Sequence, residues 1–407
     1  MSLLPVADAL DRLLSAAQPT VRTETVSLRD AEGRVLAADL AARLTQPPFD
    51  NSAMDGYAVR HADIAELGSI LKVVGTSSAG HAFEGSAGPG EAVRIFTGAP
   101  LPAFADTVLL QEDAERLEDG RIRTTFLTPE GRHIRSRGQD FSEGEVVLHA
   151  GDVLDPGRLT VAAAMNHAEL TVYARPRIAV LATGDELVPP GTRPGASQII
   201  ASNTYGVSAI ARKAGADVID LGIVEDDRQA ILEAVRKALA LDIDVLVTLG
   251  GASVGDFDLV QPVLGEAGMA LDFWRIAMRP GKPLMVGRLG AIQVVGLPGN
   301  PVSSLVCSLL FLEPLVRRLA RLPAKNRLRR AVAAVPVREN DHRQDHIRAR
   351  IDRGPAGELR VTPFDKQDSS MMKTFAQSDG LLVRPPHAPA LEAGAACEVL
   401  LLREPAV

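Results

Sequence analysis

Four short segments rich in glycine and carboxylates are where this chain could do chemistry. They are Thr183-Gly184-Asp185-Glu186-Leu187, Gly222-Ile223-Val224-Glu225-Asp226-Asp227, Gly250-Gly251-Ala252-Ser253-Val254-Gly255-Asp256-Phe257-Asp258 and Gly296-Leu297-Pro298-Gly299-Asn300-Pro301. Each follows an apolar run of strand length. Glycine lets backbone N–H groups approach a ligand closely. Gly250 to Ser253 could form an anion-binding nest, with Ser253 adding a hydroxyl. Pro301 suits the first turn of a helix, whose N-terminus could face a phosphate. Three of the four segments carry carboxylates, which suit Mg²⁺, a hard cation that takes oxygen ligands. A fifth segment, Trp274 to Pro283, presents Arg275, Arg279 and Lys282 around a Pro280-Gly281 turn, cations suited to phosphate or another oxyanion. One such loop would read as an ordinary βα turn. Four on one rim, beside three cations, point to a phosphate-bearing substrate held with a metal ion.

Other chemistries lack their residues. No GxxxxGK[ST] loop and no GxGxxG signature is present, which argues against P-loop hydrolysis and against hydride transfer. His342 and His346 stand four apart. On a strand that spacing puts them on one face but far apart, which disfavours a shared zinc ion. Ser303-Ser304 reads as helix N-capping rather than as a nucleophile.

The elements that must position these loops follow from the pattern of apolar residues. Runs at 178–182, 218–221, 245–249 and 292–296 are continuously apolar, as parallel strands covered on both faces are. Helical patterns lie between them at about 203–214 and 227–240, and after them at 302–320. Alternating β and α segments imply a doubly wound α/β domain over 175–324, which binds ligands beyond the carboxyl ends of its strands. Upstream, residues 45–137 hold short β runs punctuated by Gly and Pro, an inserted β domain. Residues 1–44 with 138–174 read as an N-terminal mixed α/β domain that opens on an amphipathic helix. Residues 325–407 read as a small C-terminal β-barrel or sandwich without a convincing helix. The fold class is thus multidomain α/β.

Bulk properties set limits. The chain has 407 residues, 46% hydrophobic and 23% charged, with a formal net charge of -7. No basic stripe favours nucleic acid. The two cysteines, Cys307 and Cys397, allow no disulfide framework. The N-terminus lacks signal-peptide features, and no run of about 20 apolar residues predicts a membrane span. The expected location is cytoplasmic.

The motifs together resemble the MoeA family, also represented by the E domain of gephyrin. The resemblance rests on the four strand-end segments and Arg279-Pro280-Gly281-Lys282-Pro283. It also rests on Pro47-Pro48-Phe49-Asp50-Asn51-Ser52-Ala53-Met54-Asp55-Gly56-Tyr57-Ala58, Phe96-Thr97-Gly98-Ala99-Pro100 and Arg135-x-Arg137-Gly138-Gln139-Asp140. It covers nearly the whole chain. It implies four subdomains and a homodimer, with the site between the third subdomain of one chain and the second of its partner. The implied activity is insertion of molybdate into adenylylated molybdopterin, with Mg²⁺-dependent release of AMP. By this resemblance Asp55, Thr97, Asp140, Glu186, Asp226, Asp258 and Lys282 are catalytic, with Glu186 and Asp258 as Mg²⁺ ligands. Gly250, Gly251, Ser253, Arg275, Arg279, Pro298, Pro301, Arg348 and Ser369 would contact substrate or molybdate. The adenylating enzyme of the same pathway is an implied partner. Arg275 and Arg279 stand where some members carry lysine. Arg348 lacks the usual preceding aromatic, and Asp368 stands where glycine is common. The alternative readings are a molybdopterin-binding scaffold and an adenylating module without metal insertion.

Overall fold

Arg177–Thr183 (β1) is buried along nearly its whole length because its side chains alternate between two covered faces. Ile178, Val180 and Ala182 share one core with Val207 and Ala211 of helix α1 (Asn203–Lys213). Ala179 belongs to the other core, with Ile231 and Val235 of α2 (Arg228–Leu239) and Val263 of α3 (Val260–Glu266). This two-sided burial is why the run reads as continuously apolar. The structure is a computed structural model, and it describes residues 3–251 and 259–403.

The remaining strands of this sheet are β2 (Asp217–Val224), β3 (Val245–Leu249), β4 (Ala270–Trp274), β5 (Met285–Leu289) and β6 (Ile292–Leu297). The order is β2-β1-β3-β6-β5-β4. β2, β1, β3 and β6 are mutually parallel, whereas β5 and β4 join antiparallel. The four strands expected to be parallel are so, and two further strands make the sheet mixed. Leu289 pairs with Ile292 across a tight hairpin turn at Gly290 (φ 60°), which forces β5 to run against β6. α1 covers one face and α2 the other, so the crossover side changes between β1 and β3, the place where this architecture opens a ligand crevice.

A long helix closes the domain as α4 (Pro301–Cys307), a π-helical turn Ser308–Leu312, and α5 (Glu313–Leu319). The opening helix Val6–Ala16 buries Ala9 and Leu13 in the same core as β1, Phe311 and Leu315. Residues up to Glu24 thus pack with 173–403, not with 138–174 as grouped from chain order.

In the C-terminal segment, Gln344–Arg353 pairs with Leu359–Pro363, which runs parallel to Leu328–Ala333. That strand pairs with Ala396–Leu401, then Gly380–Arg384, which returns to Gln344–Arg353. The circuit is a closed five-stranded barrel, which leaves few open edges. A short helix, Met372–Ala376, interrupts a region expected to hold none.

Residues 25–172 form a second unit. Its six-stranded sheet runs Thr107–Leu110, Gly56–Val59, Glu91–Ile95, Ile70–Ser77, Arg121–Thr124 and Ala114–Arg116. A separate core joins Leu36 and Ala42 with Phe141, Leu154 and Met165. Asp155 caps helix Pro156–Ala164 by accepting from the Arg158 N–H.

Candidate active site

In the α/β unit, the loops after β1, β3 and β6 touch one another. Gly250 has φ 96°, and a Cβ there would lie 2.8 Å from the Thr183 carbonyl oxygen. A Cβ on Gly299 would lie 3.8 Å from the Gly250 Cα. Only glycine permits this approach at Gly250. The buried hydroxyls of Thr183 and Thr248, at the ends of β1 and β3, have no hydrogen-bond partner among the described residues.

Carboxylates gather beside these glycines. The Asp226 N–H donates to Asp185 Oδ1 at 2.8 Å. Burial, then the neighbouring charges of Asp185 and Glu186, raise the Asp226 pKa. The rim therefore holds negative charge that a cation would relieve. Asp185 was the member overlooked in the sequence, although it stands next to Glu186 in the same motif. Ser253 and Asp258 lie outside the described residues.

After β6, Asn203 Nδ2 donates to the Gly299 carbonyl at 2.6 Å and Asn300 Nδ2 to Ser369 Oγ at 3.1 Å. The Val302 N–H donates to the Ser369 carbonyl at 3.1 Å. Ser369 thus occupies the start of α4, the place expected to face a phosphate. Pro301 stands in the first turn as expected, and Pro298 lies in the β6–α4 loop. Ser303 and Ser304 are buried and make no capping bond; the Ser304 hydroxyl has no partner among the described residues. Their expected capping role is corrected.

The three cations differ. Arg275 (φ 73°) lies over Trp274, 4.9 Å from the ring centroid. Lys282 is exposed, and neither residue makes an ion pair among the described residues. Arg279 is occupied: Nη2 donates to Asp345 Oδ2 at 2.5 Å and Nη1 to Asp341 Oδ2 at 3.1 Å. Arg348 is 1% exposed. Its Nε donates to Gln367 Oε1 at 3.1 Å and its Nη1 to the Asp368 carbonyl at 2.7 Å. Arg348, expected to contact the oxyanion, is buried and braces the turn that presents Ser369.

His346 is buried on the barrel strand, whereas His342 precedes that strand. Burial pushes the His346 pKa down to about 4. Among the described residues no three His, Cys, Asp or Glu side chains converge on a metal position.

In the 25–172 unit, Asp55 Oδ1 accepts from both the Thr97 N–H and the Thr97 hydroxyl, each at 2.8 Å. The backbone bond, then the hydroxyl, lower the Asp55 pKa. Asp140 lines a cavity of about 620 Å³ with Gln46, Asn51, Gly98, Arg135 and Gln139. Beside Asp55, Gly56 passes so close to the next strand that a Cβ would lie 2.0 Å from the Leu109 carbonyl oxygen. Backbone cannot yield there without parting Gly56–Val59 from Thr107–Leu110. Gly56→Ala is expected to lose roughly 3 kcal/mol or more of stability. An unchanged urea midpoint would refute that.

Comparison with known proteins agrees with this geometry. Residues 4–166 match the MoeA N-terminal region (domain I and II), 179–318 a probable molybdopterin binding domain, and 330–402 the MoeA C-terminal region (domain IV). The chain belongs to the MoeA family. A MoeA relative from Haemophilus influenzae, named molybdopterin molybdenumtransferase, is 35% identical over 386 residues, 94% of each chain. Molybdopterin molybdenumtransferase 2 of Mycobacterium tuberculosis is 35% identical over 397 residues, 95% of this chain and 97% of its own. The solved molybdopterin biosynthesis moea protein from Pyrococcus horikosii superposes with a TM-score of 0.81 at 29% identity. That match covers 98% of this chain and 99% of the other.

Proposed function

We propose that this chain is a molybdopterin molybdenumtransferase that inserts molybdate into adenylylated molybdopterin and releases AMP. The observation that carries the reading is the charge-crowded rim of Asp185, Glu186 and Asp226 beside the glycine contacts of Thr183, Gly250 and Gly299.

The donor set fits Mg²⁺, which is commonly held by one or two carboxylates completed by substrate phosphates and water rather than by a full protein cage. Glu186 and Asp258 are the proposed ligands. Bound there, the metal would neutralise phosphate charge. Gly250 and Gly251 admit the phosphate end of the substrate to the backbone. Lys282 and Arg275, both without a carboxylate partner among the described residues, receive the oxyanion, with Arg279 as the third cation of the group. Thr97 fixes Asp55 as an ionised acceptor. Asp140 offers a second carboxylate at the cavity of its unit.

The proposed working form is a homodimer in the cytoplasm, supplied by the enzyme that adenylates the pterin. Among the described residues no helix is long and apolar enough to cross a membrane.

Incubating the purified chain with adenylylated molybdopterin, molybdate and Mg²⁺ tests the reading. AMP should appear by chromatography, and the product should reactivate a cofactor-free molybdoenzyme. Chelation of Mg²⁺ should stop both. Binding of the adenylate with no AMP release would replace this reading with a scaffold role.

A further inference from the structure

Arg279 differs from the other two rim cations because the barrel already holds it. Met278 and Arg279 run parallel to Gln344 and Asp345, which sets the arginine directly opposite one carboxylate. Asp345 takes both Nε, at 3.1 Å, and Nη2. Its side chain is 13% exposed, so this contact is well shielded. Asp341 takes Nη1 and is 36% exposed. The Arg343 N–H donates to Asp341 at 2.8 Å, and this bond foremost lowers its pKa, keeping it ionised at neutral pH. Asn340 fastens the same turn by donating to the carbonyls of Arg343, Arg384 and Pro385.

The two carboxylates therefore serve differently. Asp345 aims the guanidinium. Asp341 covers its remaining face from the solvent side. We propose that Asp341 is an internal competitor for the oxyanion at Arg279. An incoming anion must displace the Asp341 contact while Asp345 keeps the arginine in place. Exposed ion pairs are weak enough to exchange in this way. The inference rests on the proposed reading that Arg279 belongs to the oxyanion-receiving group.

The test measures AMP release by the full chain against molybdate concentration, with and without nitrate. For Asp341→Asn, the molybdate KM should fall about threefold and nitrate inhibition should strengthen about threefold, the size of one exposed ion pair. Asp345→Asn should instead raise the molybdate KM about tenfold or more, because the arginine loses its aim. Urea midpoints report whether either variant is unfolded. A KM and a nitrate inhibition that match the parent, or a raised KM in Asp341→Asn, would overturn the competitor role. Equilibrium dialysis of molybdate against both proteins answers the same question without turnover. A chain that releases no AMP at all would fail the proposed function while this measurement still stands.

Discussion

Replacing Asp226 by Asn is expected to stabilise the free protein while cutting turnover by about 100-fold, the cost of losing one preorganised polar group at a reacting centre. Both halves come from one cause. Burial and the charges of Asp185 and Glu186 raise the Asp226 pKa in the folded chain. A raised carboxyl pKa means that the folded state binds its proton more tightly than the unfolded state does. That contribution is whole below the unfolded pKa and disappears as pH rises through the folded one. At neutral pH the ionised Asp226 therefore opposes folding. Removing its charge relieves the strain, so the melting temperature should rise. The stabilisation should be larger at pH 8 than at pH 4. The same repulsion is what makes the rim receptive to a cation. Added Mg²⁺ should thus raise the melting temperature of the parent more than that of Asp226→Asn. Full turnover in the variant, or a melting temperature that falls, would refute the assignment.

Glu313→Ala is expected to be the most damaging single change outside the rim, at about 3–5 kcal/mol. Glu313 is 4% exposed at the start of α5. Its two oxygens accept from Arg327 Nη2 at 2.8 Å and Nε at 2.7 Å. Arg327 also donates to the Leu401 carbonyl at 3.2 Å. This fork ties the α/β helix to the first and last strands of the barrel. Truncation strands the guanidinium without its counter-charge, which costs far more than an exposed pair would. Guanidinium chloride unfolding should show the drop. The double variant Glu313→Met with Arg327→Met should recover most of it, because neither charge is then left buried alone. A single variant within about 1 kcal/mol of the parent would show the pair to be energetically idle.

How far the sequence disclosed this molecule depended on whether the signal was local. β1, β3 and β6 were legible because burial on both faces leaves largely apolar runs, whereas the edge strand β2, with no fully buried residue, was legible from Val218, Ile219 and Leu221. β4 was not, because three of its five residues are exposed and the apolar run is broken at Asp272. β5 is short and interrupted by Gly287 and Arg288. The opening helix declared a buried face but not what would cover it. At the rim, the segments that hold Glu186 and Asp226 were visible from their place after strands. The capture of Arg279 was invisible, since its carboxylates lie 62 and 66 residues away in the chain. The burial of Arg348 was invisible for a related reason. Its charge is plain in the sequence, whereas its burial depends on Gln367 and the Asp368 carbonyl.

The split of the α/β unit has a consequence for how the chain is made. Ala9 and Leu13 belong to a core whose strands begin at Arg177. At about 5–20 residues per second, the opening helix waits on the order of ten seconds for its sheet to leave the ribosome. Residues 25–172 emerge in that interval and have cores of their own, so they can fold first. The Arg22 carbonyl accepts from the Ala174 N–H at 2.8 Å, which shows that the chain leaves and rejoins the unit at adjacent points. Once the inserted unit is folded, the waiting helix is tethered close to its destination and no longer searches the length of an open loop. This early-made helix is therefore among the last to find its place, and a nascent chain stalled before β1 would carry an amphipathic helix with nothing to cover its apolar face.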